Sequence, residues 1–306
     1  MKKEMKHIIK PLRNSTNHDK KETKQAVKPA KKAASIEDIK KQIQQKLAEK
    51  PAPSRIKVTG EKYVGTGIAG LDELFIHGIP RGVSSLVCGG PGSGKTIFCL
   101  QTLYEAAKAG EKVYYMTFEE DPERLRNHMR DFGWNPDPLE KAGKLVIKKI
   151  SPLDVTRQID AMLEKAKGEL LIDIKPLIIP KGFNPDRIAI DSLSAIASAF
   201  YGKEETYRLY IEQLFNLFSE VGATTFLISE TPDPVTKLTT SVVEEFLADG
   251  VFVMYNIRHG NVRESAIEIL KMRGSGFRKK IVPLEIKPDQ GIIVYPEQEV
   301  FSTELK

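Results

Sequence analysis

Gly89-Gly90-Pro91-Gly92-Ser93-Gly94-Lys95-Thr96 is the stretch that decides the fold. It is a complete G-x-x-x-x-G-K-T phosphate-binding loop, and each residue type has a physical task. Glycines let the backbone curl with positive φ, so that successive N–H groups point inward at the α- and β-phosphates of a nucleotide. Lys95 is expected to reach the β- and γ-phosphates, and the Thr96 hydroxyl to take a Mg²⁺ coordination position. Upstream, Ser85-Leu86-Val87-Cys88 reads as a short buried strand, and Ile97 to Ala109 reads as a helix. The phosphates would then sit on a helix N-terminus.

Composition bounds what surrounds this loop. A chain of 306 residues is long enough for one large α/β domain with a substantial core. No apolar run approaches the eighteen or so residues that a membrane helix needs, and the basic N-terminus lacks the apolar centre of a signal peptide, so a cytoplasmic protein without membrane insertion is expected. Cys88 and Cys99 flank the loop without C-x-x-C or metal spacing and read as buried structural thiols. His7, His18, His77, His128 and His259 are scattered, and no zinc site is expected. The net charge of +6 is uneven: residues 1–55 carry +10 and the remainder −4. The excess positive charge therefore sits in one tail.

Residues 1–34 are Lys-rich and bury too little apolar surface to fold alone. Ser35-Ile36-Glu37-Asp38 then resembles a helix start, and Ile36, Ile39, Ile43 and Leu47 form one narrow apolar stripe before Lys50-Pro51-Ala52-Pro53. Residues 1–55 are thus read as a basic extension with a short amphipathic helix near 36–49. This helix is either a part-time helical linker or a docking helix for a partner or neighbouring subunit. Residues 56–306 are read as the catalytic domain. Within it, apolar and β-branched runs at Val83–Cys88, Lys112–Phe118, Leu145–Ile147, Arg187–Ile190, Thr224–Ser229 and Val251–Tyr255 alternate with helical patterns at Pro122–Phe132, Thr156–Lys165 and Tyr207–Val221. That alternation predicts a mainly parallel sheet covered on both faces. Arg263–Met272 and Lys280–Lys287 alternate in period two around Arg273-Gly274-Ser275-Gly276, which predicts antiparallel strands at the C-terminal end. Gly168–Asp186 is an apolar, Pro-rich insertion in which Leu170–Ile174 and Pro176–Ile179 suit a small hairpin.

Hydrolysis of a nucleotide also needs a carboxylate for Mg²⁺, a group that orients water, and positive charge for the transition state. Asp191 closes the apolar run Arg187–Ile190, at the strand edge where open α/β sheets bind ligands, and is the candidate on the metal side. Val113–Phe118 ends abruptly in Glu119-Glu120. Two adjacent carboxylates repel, so their placement beside a phosphate site suggests use in orienting water. Asp121 suits the N-cap of the following helix. Lys271 and Arg273 alternate along a strand and point to one face.

Thr66-Gly67-Ile68-Ala69-Gly70-Leu71-Asp72-Glu73-Leu74, then Gly78-Ile79-Pro80-Arg81-Gly82, then the phosphate loop, resemble the KaiC/RadA group of RecA-type ATPases. The Glu119-Glu120 pair, Phe132-Gly133-Trp134 and Lys271-Met272-Arg273-Gly274-Ser275 tilt the resemblance toward KaiC, over roughly residues 58–300. It implies a RecA-like fold with a single KaiC domain and a Mg²⁺-dependent ATPase that assembles into a ring, a hexamer by family habit, with ATP at subunit interfaces. Glu119 and Glu120 then match the catalytic pair, and Lys271 and Arg273 match residues reaching the γ-phosphate of a neighbouring subunit's nucleotide. The chain departs from the clock protein in carrying one such domain and in reading Glu245-Phe246 where that protein has a phosphorylated Ser-Thr pair. An autokinase role thereby loses its main support, although Thr239, Thr240 and Ser241 lie nearby.

Three function classes follow. The first is a ring-forming regulatory ATPase whose ATP state is read by a protein partner. The second is a RadA-like, DNA-dependent ATPase, favoured by the basic tail and disfavoured by the mildly acidic body and the lack of aromatics in the tail. The third is a slow nucleotide-gated module that docks partners through the 36–49 helix.

Overall fold

The computed structural model describes residues 62–165, 179–231, 242–259 and 262–300. The expected 36–49 helix, the Leu170–Ile174 half of the hairpin and the hydroxyl cluster Thr239, Thr240 and Ser241 lie outside these residues, as does the 1–55 extension.

Six parallel strands form the heart of the sheet: β3 (Ser84–Gly89), β4 (Val113–Thr117), β5 (Leu145–Lys149), β6 (Arg187–Asp191), β7 (Thr224–Glu230) and β8 (Gly250–His259). Together with β9 (Val262–Met272), β10 (Val282–Lys287) and β11 (Gly291–Val294) they make one nine-stranded sheet in the order β11-β10-β9-β8-β3-β7-β6-β4-β5. The last three strands run antiparallel, as the period-two pattern predicts. A separate two-stranded ribbon pairs β1 (Tyr63–Val64) with β2 (Ile79–Pro80).

Both faces are buried, and the alternation along each strand says which side chain goes where. Val87, Tyr115, Ala189, Phe226, Ile228, Phe252 and Met254 face one core together with Phe98, Leu100 and Leu103 of α1 (Lys95–Lys108). Their neighbours Leu86, Cys88, Tyr114, Met116, Ile188, Ile190, Leu227, Val251 and Val253 face a second core. There they meet α5 (Leu193–Ala199) and α6 (Glu204–Val221), with Val155 and Ile159 of α4 (Pro152–Lys165). Cys88 and Cys99 are both free and buried, one in each core. The two remaining early helices, α2 (Pro122–Asp131) and α3 (Asp137–Lys141), cover the β4–β5 end. Asp121 caps α2, accepting from Glu123 N at 2.9 Å. A last short helix, α7 (Val242–Leu247), leads into β8.

The Thr66–Leu74 motif is structural. Asp72 accepts from Thr66 N (2.7 Å), Thr66 Oγ1 (2.8 Å) and Gly67 N (3.1 Å) and so pins the loop after β1. Gly70, at φ 81°, lies against β11: a Cβ there would fall 2.0 Å from Val294 O. No helix among the described residues is long and apolar enough to cross a membrane.

Candidate active site

β3 delivers the loop to the middle of the sheet, between β7 and β8, where Gly89 stands beside Glu230 on one side and Met254 on the other. Gly92 and Gly94 adopt φ 74° and 96°, the left-handed backbone that favours glycine. Gly89 is fixed for a different reason, since a Cβ would meet Met254 O at 2.5 Å. Gly90 O accepts from Ser93 N at 3.3 Å, closing the curl over Pro91 and Gly92. The helix begins at Lys95, so the first N–H groups of α1 open toward the loop.

Lys95 is only 6% exposed. Its Nζ donates to Gly90 O at 2.9 Å and stands 3.8 Å from Glu230 Oε1. Burial pulls its pKa below the usual lysine range, with Glu230 and then Asp191 opposing that shift. The ammonium is thus folded back on its own loop, and among the described residues the half-exposed Glu230 carboxylate is the one anion within 4 Å of it.

The acidic side is built at the ends of β4 and β6. Asp191 Oδ2 accepts from Thr96 Oγ1 at 2.8 Å and from Tyr115 OH at 2.7 Å, which ties the candidate metal-side carboxylate to the last residue of the loop. Burial pushes the Asp191 pKa up; the Tyr115 and Thr96 hydrogen bonds oppose this, and the charges of Glu119 and Glu120 add to the rise. Glu119 is exposed at the rim, with Oε1 accepting from Ser192 Oγ at 2.8 Å. Its backbone carbonyl accepts from Lys149 Nζ at 2.7 Å. Thr117 Oγ1 accepts from Glu119 N and Glu120 N at 3.3 and 3.0 Å, so the strand end turns tightly and presents both carboxylates. Glu120 leans instead toward α2, with Oε2 3.6 Å from Arg124 Nε and 3.8 Å from His128 Nδ1. The two carboxylates thus part company: Glu119 faces Asp191's neighbour Ser192, and Glu120 faces a helix.

This donor set fits a nucleotide's phosphates. Gly92 and Gly94 have the required conformation, Lys95 is a buried cation at the loop, and the Ser93 hydroxyl is buried with no hydrogen-bond partner among the described residues. Among the described residues no group of three His, Cys, Asp or Glu side chains could hold a metal unaided. A divalent ion beside Thr96 and Asp191 would take its other ligands from phosphate and water, as Mg²⁺ does.

Lys271 and Arg273 stand elsewhere. β9 meets β8 at Val251↔Lys271, three residues from Met254, which neighbours Gly89. That is roughly 10 Å along the strands from the loop, toward the opposite edge of the sheet. Arg273 lies one residue beyond the end of β9, a small correction to the expected strand alternation. A register shift at Val251/Phe252 accompanies this. Both side chains still converge on one target, the C-terminal end of α7. Lys271 Nζ donates to Glu245 O (2.9 Å) and Ala248 O (2.6 Å). Arg273 donates to Phe246 O (3.2 Å) and Asp249 Oδ1 (3.3 Å). Cations on orphan helix carbonyls are a favourable pairing. Neither points at the phosphate loop of its own chain.

Sequence reasoning missed Tyr115, Ser192 and Glu230. Glu230 was open to discovery, because it ends an apolar strand just as Glu119 does. Tyr115 and Ser192 gave no local signal; only the pairing of β4 with β6 brings them to Asp191 and Glu119.

A parallel sheet with a phosphate loop at its centre, an aspartate two strands away and antiparallel C-terminal strands is a P-loop ATPase domain of RecA type. The KaiC ATPase family profile matches residues 64–299, and the chain belongs to that family. It is 35% identical to circadian clock protein KaiC3 of Synechocystis over 237 residues, 78% of this chain and 46% of that protein. The chain thus spans less than half the length of the curated clock relatives it matches. It is 30% identical to a UPF0273 protein of Thermotoga maritima, covering 97% of that protein. The crystal structure of KaiC-like protein PH0186 from Pyrococcus horikoshii aligns with TM-score 0.63 and 34% identity, over 78% of this chain and all of the other.

Proposed function

We propose that the chain is a Mg²⁺-dependent ATPase that hydrolyses ATP at the interfaces of a ring, a hexamer on family grounds, and that hydrolysis drives a regulatory change read by a protein partner. The observation that carries this reading is the continuous set Lys95–Thr96–Asp191–Tyr115 with Glu119 at its rim. In it the loop binds the phosphates, and Thr96 and Asp191 would hold the metal, which would supply positive charge against that building on the transferred phosphoryl group. Glu119 orients the attacking water and accepts its proton at a carboxylate oxygen; Ser192 Oγ fixes the rotamer of that carboxylate. Glu120 has a supporting role on α2. Nothing in the described residues favours the DNA-dependent reading, whose basic tail lies outside them.

Replacing Glu119 with Gln keeps the Ser192 contact but removes the proton acceptor. Phosphate release should fall by about 10²–10⁴-fold, with ATP affinity unchanged; equal turnover in the variant would shift the role to another carboxylate.

The raised pKa of Asp191 sets a pH dependence. Metal binds the carboxylate, so protons compete with it. Mg²⁺-dependent ATP affinity should therefore weaken as pH falls through a point above the ordinary Asp range. Asp191→Asn should lose the Mg²⁺ dependence at every pH. A raised native pKa costs stability once the group ionises, so this variant should melt no lower than the parent at neutral pH without nucleotide. Titration calorimetry across pH with both proteins checks the first point, and circular dichroism the second.

A further inference from the structure

The two halves of the proposed machinery stand at opposite edges of one sheet, and α7 spans the gap. It starts near the end of β7, runs back along the sheet, and ends where Asp249 is tied to the start of β3: Asp249 N donates to Ser84 O at 2.8 Å, and Ser84 N to Asp249 Oδ2 at 3.3 Å. Its C-terminal carbonyls are the platform for Lys271 and Arg273. Its other end carries Glu244, a carboxylate that is fully buried. Tyr207 OH of α6 donates to Glu244 Oε1, and Ser229 Oγ of β7 donates to Glu244 Oε2 at 3.3 Å. Ser229 itself is fully buried, pairs with Cys88 at the root of the phosphate loop, and immediately precedes Glu230, the partner of Lys95.

A carboxyl group so placed is costly unless it is hydrogen-bonded. An apolar residue would fill the same space at less cost, because the core on this face of the sheet is largely apolar. What the carboxylate adds is direction: two hydrogen bonds hold α7 at one height and one rotation against β7.

We infer that Glu244 is a positioning residue for ATP hydrolysis, fixing α7 as a strut that keeps Lys271 and Arg273 in register with the phosphate site of their own subunit. This rests on the proposed action of those cations on a neighbour's nucleotide. Through the strut, the state of one site, sensed at Ser229–Glu230, sets the height of the cations offered to the next.

The test is steady-state kinetics of the full assembled chain with ATP, together with ATP affinity, for Glu244→Ala, Glu244→Gln, Lys271→Ala and the Glu244→Ala/Lys271→Ala pair. Displacement of a positioned group by an ångström is enough for about tenfold or more in rate, so Glu244→Ala should lower kcat to that extent with ATP affinity unchanged. Glu244→Gln, which still accepts from Tyr207 OH and can donate to Ser229 Oγ, should recover most of the rate. In the Lys271→Ala background, Glu244→Ala should cost less than it costs the parent, since only Arg273 is then left for it to displace. If Glu244→Ala fails to fold, Tyr207→Phe removes the hydrogen bond to Glu244 Oε1 and should lower kcat in the same direction. Full kcat in Glu244→Ala or Tyr207→Phe, equal loss of kcat and affinity, or additive effects of Glu244→Ala and Lys271→Ala would overturn the inference. Full kcat in Lys271→Ala would instead bring down the underlying trans-acting reading, and the strut with it.

Discussion

Lys95→Ala is expected to abolish ATP turnover and to remove nearly all ATP affinity. Lys95 is a buried cation that, among the described residues, has one carboxylate within 4 Å, the half-exposed Glu230 at 3.8 Å, so bound phosphates would be its main electrostatic partner. Truncating one side of a buried charge pair costs about 2–5 kcal/mol, which is about thirty- to several-thousand-fold in affinity. The same burial makes a second effect visible. The lysine pKa is depressed, so carrying the charge costs the folded state stability when no nucleotide is bound. Lys95→Ala should accordingly melt no lower than the parent without ligand. The parent should gain stability with added ATP, as mass action requires, and the variant should not. Thermal melts with and without Mg²⁺-ATP separate these outcomes; a variant that is stabilised by ATP like the parent would remove the loop from its assigned role.

Lys271→Ala and Arg273→Ala are expected to cut turnover severely while leaving ATP bound. A cation supplied in trans to a phosphoryl-transfer transition state is worth about 10³–10⁵-fold. The fold gives the reason that binding should survive: both side chains rest on α7, at the opposite edge of the sheet from the loop that grips the nucleotide of the same chain. Arg273 should have the larger effect. Lys271 is partly buried, with its pKa lowered by that burial and by the neighbouring guanidinium, whereas Arg273 is exposed at the surface a neighbour would approach. Phosphate release and equilibrium ATP binding on each variant check this. Loss of affinity in step with rate would place these residues in the fold of their own subunit and not in catalysis.

The sequence announced the fold because its strongest signals were local. Glycine spacing, a buried strand before the loop and a helix after it need no long-range information, and each apolar run from β3 to β8 was long enough to stand out. Asp191, Glu119 and Glu120 were legible for the same reason, since each ends such a run. What stayed hidden were contacts created by strand order. Tyr115 reads as one more aromatic in an apolar strand until β4 lies against β6 and its hydroxyl meets Asp191. Ser192 carries no signal of its own in the sequence, yet it is the N-cap of α5 and donates also to Glu119. The shared face of Lys271 and Arg273 was visible in their spacing, but their platform was not: α7 is six residues long and carries too little periodicity to be seen. Short pieces such as β1, β2 and α3 were missed on the same physical ground, because neighbours rather than propensity hold them.

The most direct test of catalysis between subunits is to mix two inactive chains. Glu119→Gln lacks the water-orienting carboxylate but offers intact cations; Arg273→Ala has an intact carboxylate and lacks one cation. Each should release phosphate slowly alone. Mixed under conditions that let subunits exchange, they should regain a substantial share of parental turnover, because some interfaces then combine an intact Glu119 from one chain with an intact Arg273 from the other. Mixtures that show no more activity than the sum of the separate variants, with exchange confirmed by differently labelled chains, would contradict a site shared between neighbours.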